Sequence, residues 1–173
     1  GPEFDGHQVD FDEMLKRMNA FKSIEREEMN KLEANCEATK KTELTGRDKR
    51  IFFAEYLAPA STQAVSDTIY LGDLPKGARI MHDWIGNIST GTASCTLDLG
   101  FRSKATGTVI DVDGLGAAVA VTTAGAVAFN NGSSLTAGLS YVTTEAVEVY
   151  ATIRTAVLAA SQKLIFEGSY VQD

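Results

Sequence analysis

Apolar and polar residues alternate along much of the chain after residue 50. The clearest run extends from Ala146 to Arg154, where every second position is apolar, and a second extends from Lys163 to Tyr170. A period of two is typical of strands that bury one face. Turn-forming residues interrupt these runs at short intervals, and no helical crossover lies between them. The pattern predicts an antiparallel β-sandwich or a jelly-roll-like barrel and excludes a parallel α/β fold.

Shorter segments are predicted to be the remaining strands: Lys49–Leu57, Ile69–Leu74, Thr96–Gly100, Thr108–Val112, Val119–Val121, Ala126–Phe129 and Tyr141–Thr144. We expect turns or loops at Pro75-Lys76-Gly77, Ser89–Ser94, Phe101-Arg102, Asp113-Gly114 and Asn130-Asn131-Gly132. The stretch from Ile69 to Gly100 is predicted to form a hairpin-like unit that begins the sheet. Trp84, within this stretch, is predicted to anchor the core.

The first part of the chain has a different period. Large apolar residues recur at spacings of three and four, as on one face of a helix: Phe11, Leu15, Met18, Phe21 and Ile24, with Met14 at the edge. Met29, Leu32 and Cys36 continue this stripe after a phase shift at Glu25–Glu28. The pattern predicts one amphipathic helix, or two helices separated near Ser23, and it does not fit a regular coiled coil.

Two uses of the apolar stripe remain open. The stripe could pack on the β domain of its own chain, because helices gain most of their stability from burying an apolar face. It could instead pack between subunits or on a partner protein, as an extended arm. The second alternative makes the six residues Phe11, Met14, Leu15, Met18, Phe21 and Ile24 a predicted partner or oligomer interface.

Composition changes near residue 50, where charged residues give way to Gly, Ala, Thr, Val and Ser. We therefore expect a helical arm over 5–50 and a β domain over 51–173, with 1–4 as a cloning scar. The net charge of -7 argues against nucleic-acid binding. No signal peptide or long apolar span is visible, so no membrane partner is predicted. Cys36 and Cys95 fall in different regions and are expected to be reduced.

Candidate chemistry is sparse. His82 has no Cys or Glu at metal-ligand spacing and would have to serve alone as the base for Cys95. Asp111 and Asp113 lack the further oxygen ligands of a calcium loop. Glu145, Glu148 and Asp83 could be paired as hydrolase carboxylates, as could carboxylates in any acidic protein. We therefore predict no enzymatic activity, no cofactor and no metal.

Several motifs occur in a recognisable order: LPKGARI (74–80), a Thr/Ser/Gly loop, CTLDLGF (95–101), DVDG (111–114), EVYATI (148–153) and LIFEGSYV (164–171). From Thr68 to Val171 this order resembles small virion structural proteins of tailed bacteriophages. The most similar group is the capsid decoration, or cement, proteins built on a jelly-roll-like β domain. The helical arm lies outside the resemblance.

The resemblance implies a structural protein that binds the major capsid protein on the outer surface of the phage head after synthesis in the host cytoplasm. It also implies a homo-oligomer, with a trimer preferred to a dimer. The alternative is a tail-fibre or head-fibre module that recognises a host glycan. Five tyrosines could stack on sugars in such a module, although most are better explained as strand aromatics that pack on cross-strand neighbours: Tyr56, Tyr70, Tyr141, Tyr150 and Tyr170. A cell-wall or polysaccharide hydrolase comes third.

Overall fold

The structure is a computed structural model that describes residues 11–22, 49–137 and 141–172. The chain divides into two compact units, Gly1–Lys41 and Thr42–Asp173. In the first unit, residues 11–22 are α-helical (α1). The predicted continuation of this helix through Ile24, Met29, Leu32 and Cys36 lies outside the described residues. Within the described part of the chain, no helix is long and apolar enough to cross a membrane.

The second unit is built from antiparallel strands, which confirms the predicted mainly-β sandwich. The strands are β1 (Lys49–Leu57), β2 (Thr68–Leu74), β3 (Ala78–Ile80), β4 (Ile85–Ile88), β5 (Thr96–Ser103), β6 (Val109–Ala120), β7 (Gly125–Ala128), β8 (Val147–Arg154) and β9 (Lys163–Gln172). A short helix, α2 (Ser133–Thr136), precedes β8. One sheet has the order β1-β9-β4-β7, with β3 also paired to β9, and the other has the order β2-β8-β5-β6.

The core lies between the two sheets and explains the alternating pattern. In β8 the inward residues Val147, Val149, Ala151 and Ile153 are completely buried. In the other sheet Phe166 of β9 is buried and makes an edge-to-face contact with Phe129, with ring centroids 5.2 Å apart. Such aromatic pairs add to the stabilisation that comes from area burial alone. Apolar residues therefore alternate because each strand buries one side against the facing sheet.

The predicted hairpin-like unit from Ile69 to Gly100 is wrong. Its strands do not pair with one another: β2 pairs with β8, β3 with β9, β4 with β9 and β7, and β5 with β8 and β6. The segment crosses from one sheet to the other and back. Alternation identifies a strand that buries one face, but both sheets contribute such faces, so it does not identify the partner strand.

Three local predictions are also wrong. Phe101 and Arg102 continue β5, and Asp113-Gly114 lies inside β6, which spans both short strands predicted there. A Cβ at Gly114 would lie 3.0 Å from the Phe101 ring, so the glycine lets the strand pass close to this ring. Tyr141–Thr144 forms no strand, because its only ladder contact is a bridge between Val142 and Arg79.

Candidate interaction surfaces

One face of α1 is apolar and exposed. Five of the six residues predicted as an interface lie in the described helix, where their side chains are between 49% and 64% exposed: Phe11, Met14, Leu15, Met18 and Phe21. Met14, Met18 and Phe21 line a shallow groove of about 380 Å³, with Arg17 and Lys22 at its rim. Ile24 lies outside the described residues. The helix thus presents an apolar surface with cationic edges.

An exposed polar pair lies beside this groove. Arg17 donates a hydrogen bond to Glu13 at 3.1 Å, in an exposed pair one turn apart. Pairs of this kind stabilise a helix only slightly. Little of the stability of α1 therefore comes from this pair.

The outer face of the β1-β9-β4-β7 sheet is unusually apolar. The side chains of Ile51, Phe53 and Leu57, all on β1, are 77%, 57% and 68% exposed. Ile165 of β9 and Ile85 of β4 are half-buried. This surface was not predicted from the sequence, although a signal was present: β1 reads KRIFFAEYL, with large apolar residues at both odd and even positions. A strand that is apolar on both sides has a second apolar face to cover.

A depression of about 330 Å³ lies at one end of this face and is lined by Lys49, Ile51, Asp83, Ile85, Glu167, Gly168 and Ser169. Asp83 accepts hydrogen bonds from the backbone N–H of Ser169 at 3.0 Å and from its hydroxyl at 2.6 Å. Lys49 Nζ lies 3.2 Å from the same carboxylate. Partial burial acts to raise the pKa of Asp83, but the Ser169 hydrogen bonds and Lys49 outweigh it and lower the pKa.

Trp84, the predicted core anchor, is completely buried and lies against the backbone of Gly168, which lines this depression. Its indole N–H donates to the Ser169 carbonyl at 3.2 Å, and its ring lies 5.0 Å from that of Phe52. The indole N–H therefore has a partner, as a buried polar group requires. Trp84 therefore contacts both strands of the pair β1-β9, through the Phe52 ring on β1 and the Ser169 carbonyl on β9.

The outer face of the β2-β8-β5-β6 sheet is polar and largely self-paired. Arg102 lies over the rings of Tyr150 and Tyr70, at 5.0 and 5.9 Å from their centroids, and donates to Glu148 at 2.9 Å. Further ion pairs join Lys104 to Asp73 at 2.8 Å and Arg154 to Asp98 at 3.0 Å. The outer faces of the two sheets thus differ: one is apolar, the other is a network of paired charges.

The tyrosines proposed as a sugar platform have other partners. Tyr70 donates a hydrogen bond to Asp73, which raises the pKa of the phenol. Tyr56 donates to Gln63, and Tyr141 stacks on Phe101 at 5.4 Å. Tyr56 and Tyr141 thus belong to separate contacts, whereas Tyr70 and Tyr150 lie opposite each other on β2 and β8 and share Arg102.

The residues considered for chemistry are also dispersed. His82 Nε2 lies 3.2 Å from the carbonyl of Leu135. Cys95 is a buried free thiol whose pKa is raised by desolvation. Asp83 and Glu148 contact different cations in different sheets. Among the described residues, no group of three or more His, Cys, Asp and Glu side chains could hold a metal ion.

Asp111 and Asp113 bind hydroxyl groups of α2. Asp111 accepts hydrogen bonds from Ser133 and Ser134 at 2.7 and 2.9 Å, and Asp113 accepts from Ser133 at 3.0 Å. Burial acts to raise the pKa of Asp111, but the hydrogen bonds from the Ser133 and Ser134 hydroxyls, together with those from Asp113, outweigh it and lower the pKa. The two carboxylates thus fasten β6 to the start of α2.

Comparisons with known proteins give a match at the level of fold. No protein-family model matches the sequence, and no curated protein matches it. Among solved structures, a chain in the capsid of Ralstonia phage GP4 is 21% identical, with a TM-score of 0.56 over 79% of this chain and 92% of that one. A chain in the capsid asymmetric unit of cyanophage Pam1 is 12% identical, with a TM-score of 0.54 over 81% and 96%. The chain therefore shares its fold with chains found in two phage capsids.

Proposed function

We propose that this protein is a structural component of a phage virion, and specifically a capsid decoration protein that binds the assembled head and stabilises contacts between capsomers. The observation that carries the proposal is the likeness to chains from two phage capsids, which covers almost their entire length. The strand orders β1-β9-β4-β7 and β2-β8-β5-β6 support a jelly-roll assignment, since the antiparallel strands form two layers, one of five strands including β3 and one of four.

The proposed mechanism is thermodynamic. A protein that binds the assembled shell but not free subunits adds its binding free energy to the stability of the shell. A rigid β-sandwich suits this role, because a preformed surface loses little conformational entropy when it binds. The self-paired charges around Arg102, Glu148 and Arg154 keep one face of the domain ordered and hydrated. The role needs no catalytic group.

The attachment surface in this proposal is the apolar face of α1. Its exposed side chains include Phe11, Leu15 and Met18, and burying each of them would stabilise a complex by roughly 1.5 to 3 kcal/mol of transfer free energy. Arg17 and Lys22 at the rim of the groove favour a partner surface that is apolar with acidic edges. The partner is the major capsid protein, or a neighbouring copy of this chain in a symmetric oligomer. We prefer a trimer to a dimer, by analogy with the family.

The charge of the protein is consistent with a position on the outer surface of the head. A net charge of -7 is repelled by packaged DNA, which favours the exterior over the interior. Synthesis in the host cytoplasm precedes attachment in this account. The receptor-binding alternative has less support, because Tyr70, Tyr56 and Tyr141 are engaged in separate contacts.

A stabilisation assay tests the function. Heads assembled with and without the chain would be heated, and release of their DNA followed with an intercalating dye. We expect heads that carry the chain to release DNA at a higher temperature, and added purified chain to restore this temperature to heads that lack it. Equal release temperatures for both kinds of head would contradict the cementing role.

A further inference from the structure

The outer edge of β1 has no partner strand in the part of the chain that the structure describes. β1 forms one end of its sheet and is paired with β9 in an unbroken register from Lys49↔Val171 to Leu57↔Lys163. Within residues 11–22, 49–137 and 141–172, no strand pairs with the other edge of β1. Backbone N–H and C=O groups along that edge are therefore candidates for bonding to another strand.

One hydrogen bond identifies which residues present these groups. Ala58 N–H donates to the carbonyl of Gln162 at 2.9 Å, continuing the register of the strand pair by one position. In an antiparallel pair, residues that exchange hydrogen bonds alternate with residues that do not. The backbone N–H and C=O groups of even-numbered β1 residues thus bond to β9. Those of the odd-numbered residues point to the free edge: Lys49, Ile51, Phe53, Glu55 and Leu57.

The other sheet edges are protected. β7 has only four residues, β2 has a register shift between Tyr70 and Gly72, and β6 is paired to β5 with three register shifts. Short or irregular edges discourage pairing with another chain. β1 has nine residues, no proline and no register shift, and it exposes Ile51, Phe53 and Leu57. Its edge has the features of a pairing surface.

We propose that β1 pairs antiparallel with β1 of a second copy of this chain, across a two-fold axis at Phe52. In this register Lys49 lies opposite Glu55 of the other copy, and Ile51 lies opposite Phe53. Each of these cross-strand pairs occurs twice, because a two-fold contact uses the same surface on both subunits. Both pairs consist of odd-numbered residues, which carry the free backbone groups.

The charges select this register over its neighbours. A shift of two residues would place Lys49 opposite Leu57 or opposite Phe53, and the cross-strand charge pairs would be lost. Lys49 contacts Asp83 of its own chain at 3.2 Å on the β9 side but its side chain is 61% exposed, and Glu55 is exposed. The contact does not depend on whether α1 joins subunits or binds the capsid; if α1 joins three subunits, the β1 contact pairs two such trimers, and the subunit number is still even.

Charge exchange on the full-length chain tests the contact. The variants are Lys49→Glu, Glu55→Lys and the double exchange, with Lys76→Glu as a control of equal charge change in an exposed turn. Association would be followed by sedimentation equilibrium. We expect wild type to form assemblies with an even number of subunits. Each single variant should weaken association about tenfold, because two attractive pairs become repulsive, and the double exchange should restore it.

Hydrogen exchange gives a second measurement that does not depend on the Lys49 variant folding. Amides of odd-numbered β1 residues should exchange more slowly in wild type at high than at low protein concentration, and Glu55→Lys should abolish that difference. Three results would overturn the proposal: a wild-type assembly with an odd number of subunits, single variants that associate like Lys76→Glu, or a double exchange as weak as the single variants.

Discussion

The backbone of Gly168 lies directly against the ring of Trp84. A Cβ at residue 168 would come within 2.2 Å of the indole Cδ2 atom, closer than any real contact allows. β9 can therefore pass over the largest side chain of the core only because residue 168 has none. β9 pairs with β1, β3 and β4, so a shift of β9 at this contact would disturb its pairing with three strands.

Replacing Gly168 with alanine is expected to destabilise the β domain by about 3 kcal/mol or more, since overpacking forces ring and strand apart. Gly107→Ala is the matched control. Residue 107 has a φ of 74° but nothing within 4 Å of an added Cβ, so only the backbone penalty of about 1 kcal/mol remains. Urea unfolding monitored by circular dichroism measures both free energies. Equal losses for the two variants would contradict the packing described for Trp84.

Removing the Trp84 ring tests the same contact by leaving a cavity, whereas Gly168→Ala overpacks it. Trp84→Ala is expected to cost about 3 to 5 kcal/mol in the free energy of unfolding, because it leaves a cavity and removes one of the two hydrogen bonds to the Ser169 carbonyl, the other coming from the Met81 N–H. Trp84→Phe should cost less, since it retains part of the ring and the contact with Phe52. A loss below about 1 kcal/mol for the alanine variant would mean that the ring does not anchor the core.

Burial of this tryptophan followed from the sequence, but its surroundings did not. Trp84 is the only tryptophan and lies among isoleucines, so a core position was the natural expectation. The strand that would cover it, and the glycine at 168, could not be inferred, because 84 residues separate Trp84 from Gly168 along the chain. Strand existence depends on local alternation, whereas strand pairing depends on which faces meet in three dimensions.

The same difference between local sequence pattern and three-dimensional strand pairing explains which surfaces could be predicted. The apolar stripe of α1 was predictable because helical spacing is a local property of the sequence. The exposed face of β1 was not recognised, because a run such as KRIFFAEYL reads as a strand buried on both sides until its place at the sheet edge is known. The network around Arg102 joins three strands that are distant in sequence, so no local motif reports it.

The carboxylate of Asp83 makes stability depend on pH. Its folded pKa is lower than the unfolded value of about 4, so ionised Asp83 stabilises the fold above that pH, and the stabilisation is lost as the pH falls through the folded pKa. Asp83→Asn should therefore be less stable than wild type at pH 7. The difference should shrink towards pH 3. Urea titrations of both proteins at several pH values measure this, and a difference that stays constant with pH would contradict it.

A charge placed within the α1 stripe should abolish its function as an interface. Met18→Asp is expected to reduce binding to phage heads at least tenfold, because it buries a carboxylate without a partner. Ala20→Asp, on the opposite face of the helix, introduces the same charge and should bind like wild type. Quantitative pull-down with purified heads measures both. Equal loss in the two variants would indicate damage to the helix, and no loss in either would remove the stripe from the proposed interface.

Selective binding to the assembled shell is the central claim, and co-sedimentation tests it directly. The purified full-length chain would be mixed with heads of the phage that encodes it, and separately with unassembled major capsid protein. We predict saturable binding at a fixed number of copies per head and no binding to the free subunits. Failure to bind heads, or equal affinity for heads and free subunits, would contradict the proposed cementing role.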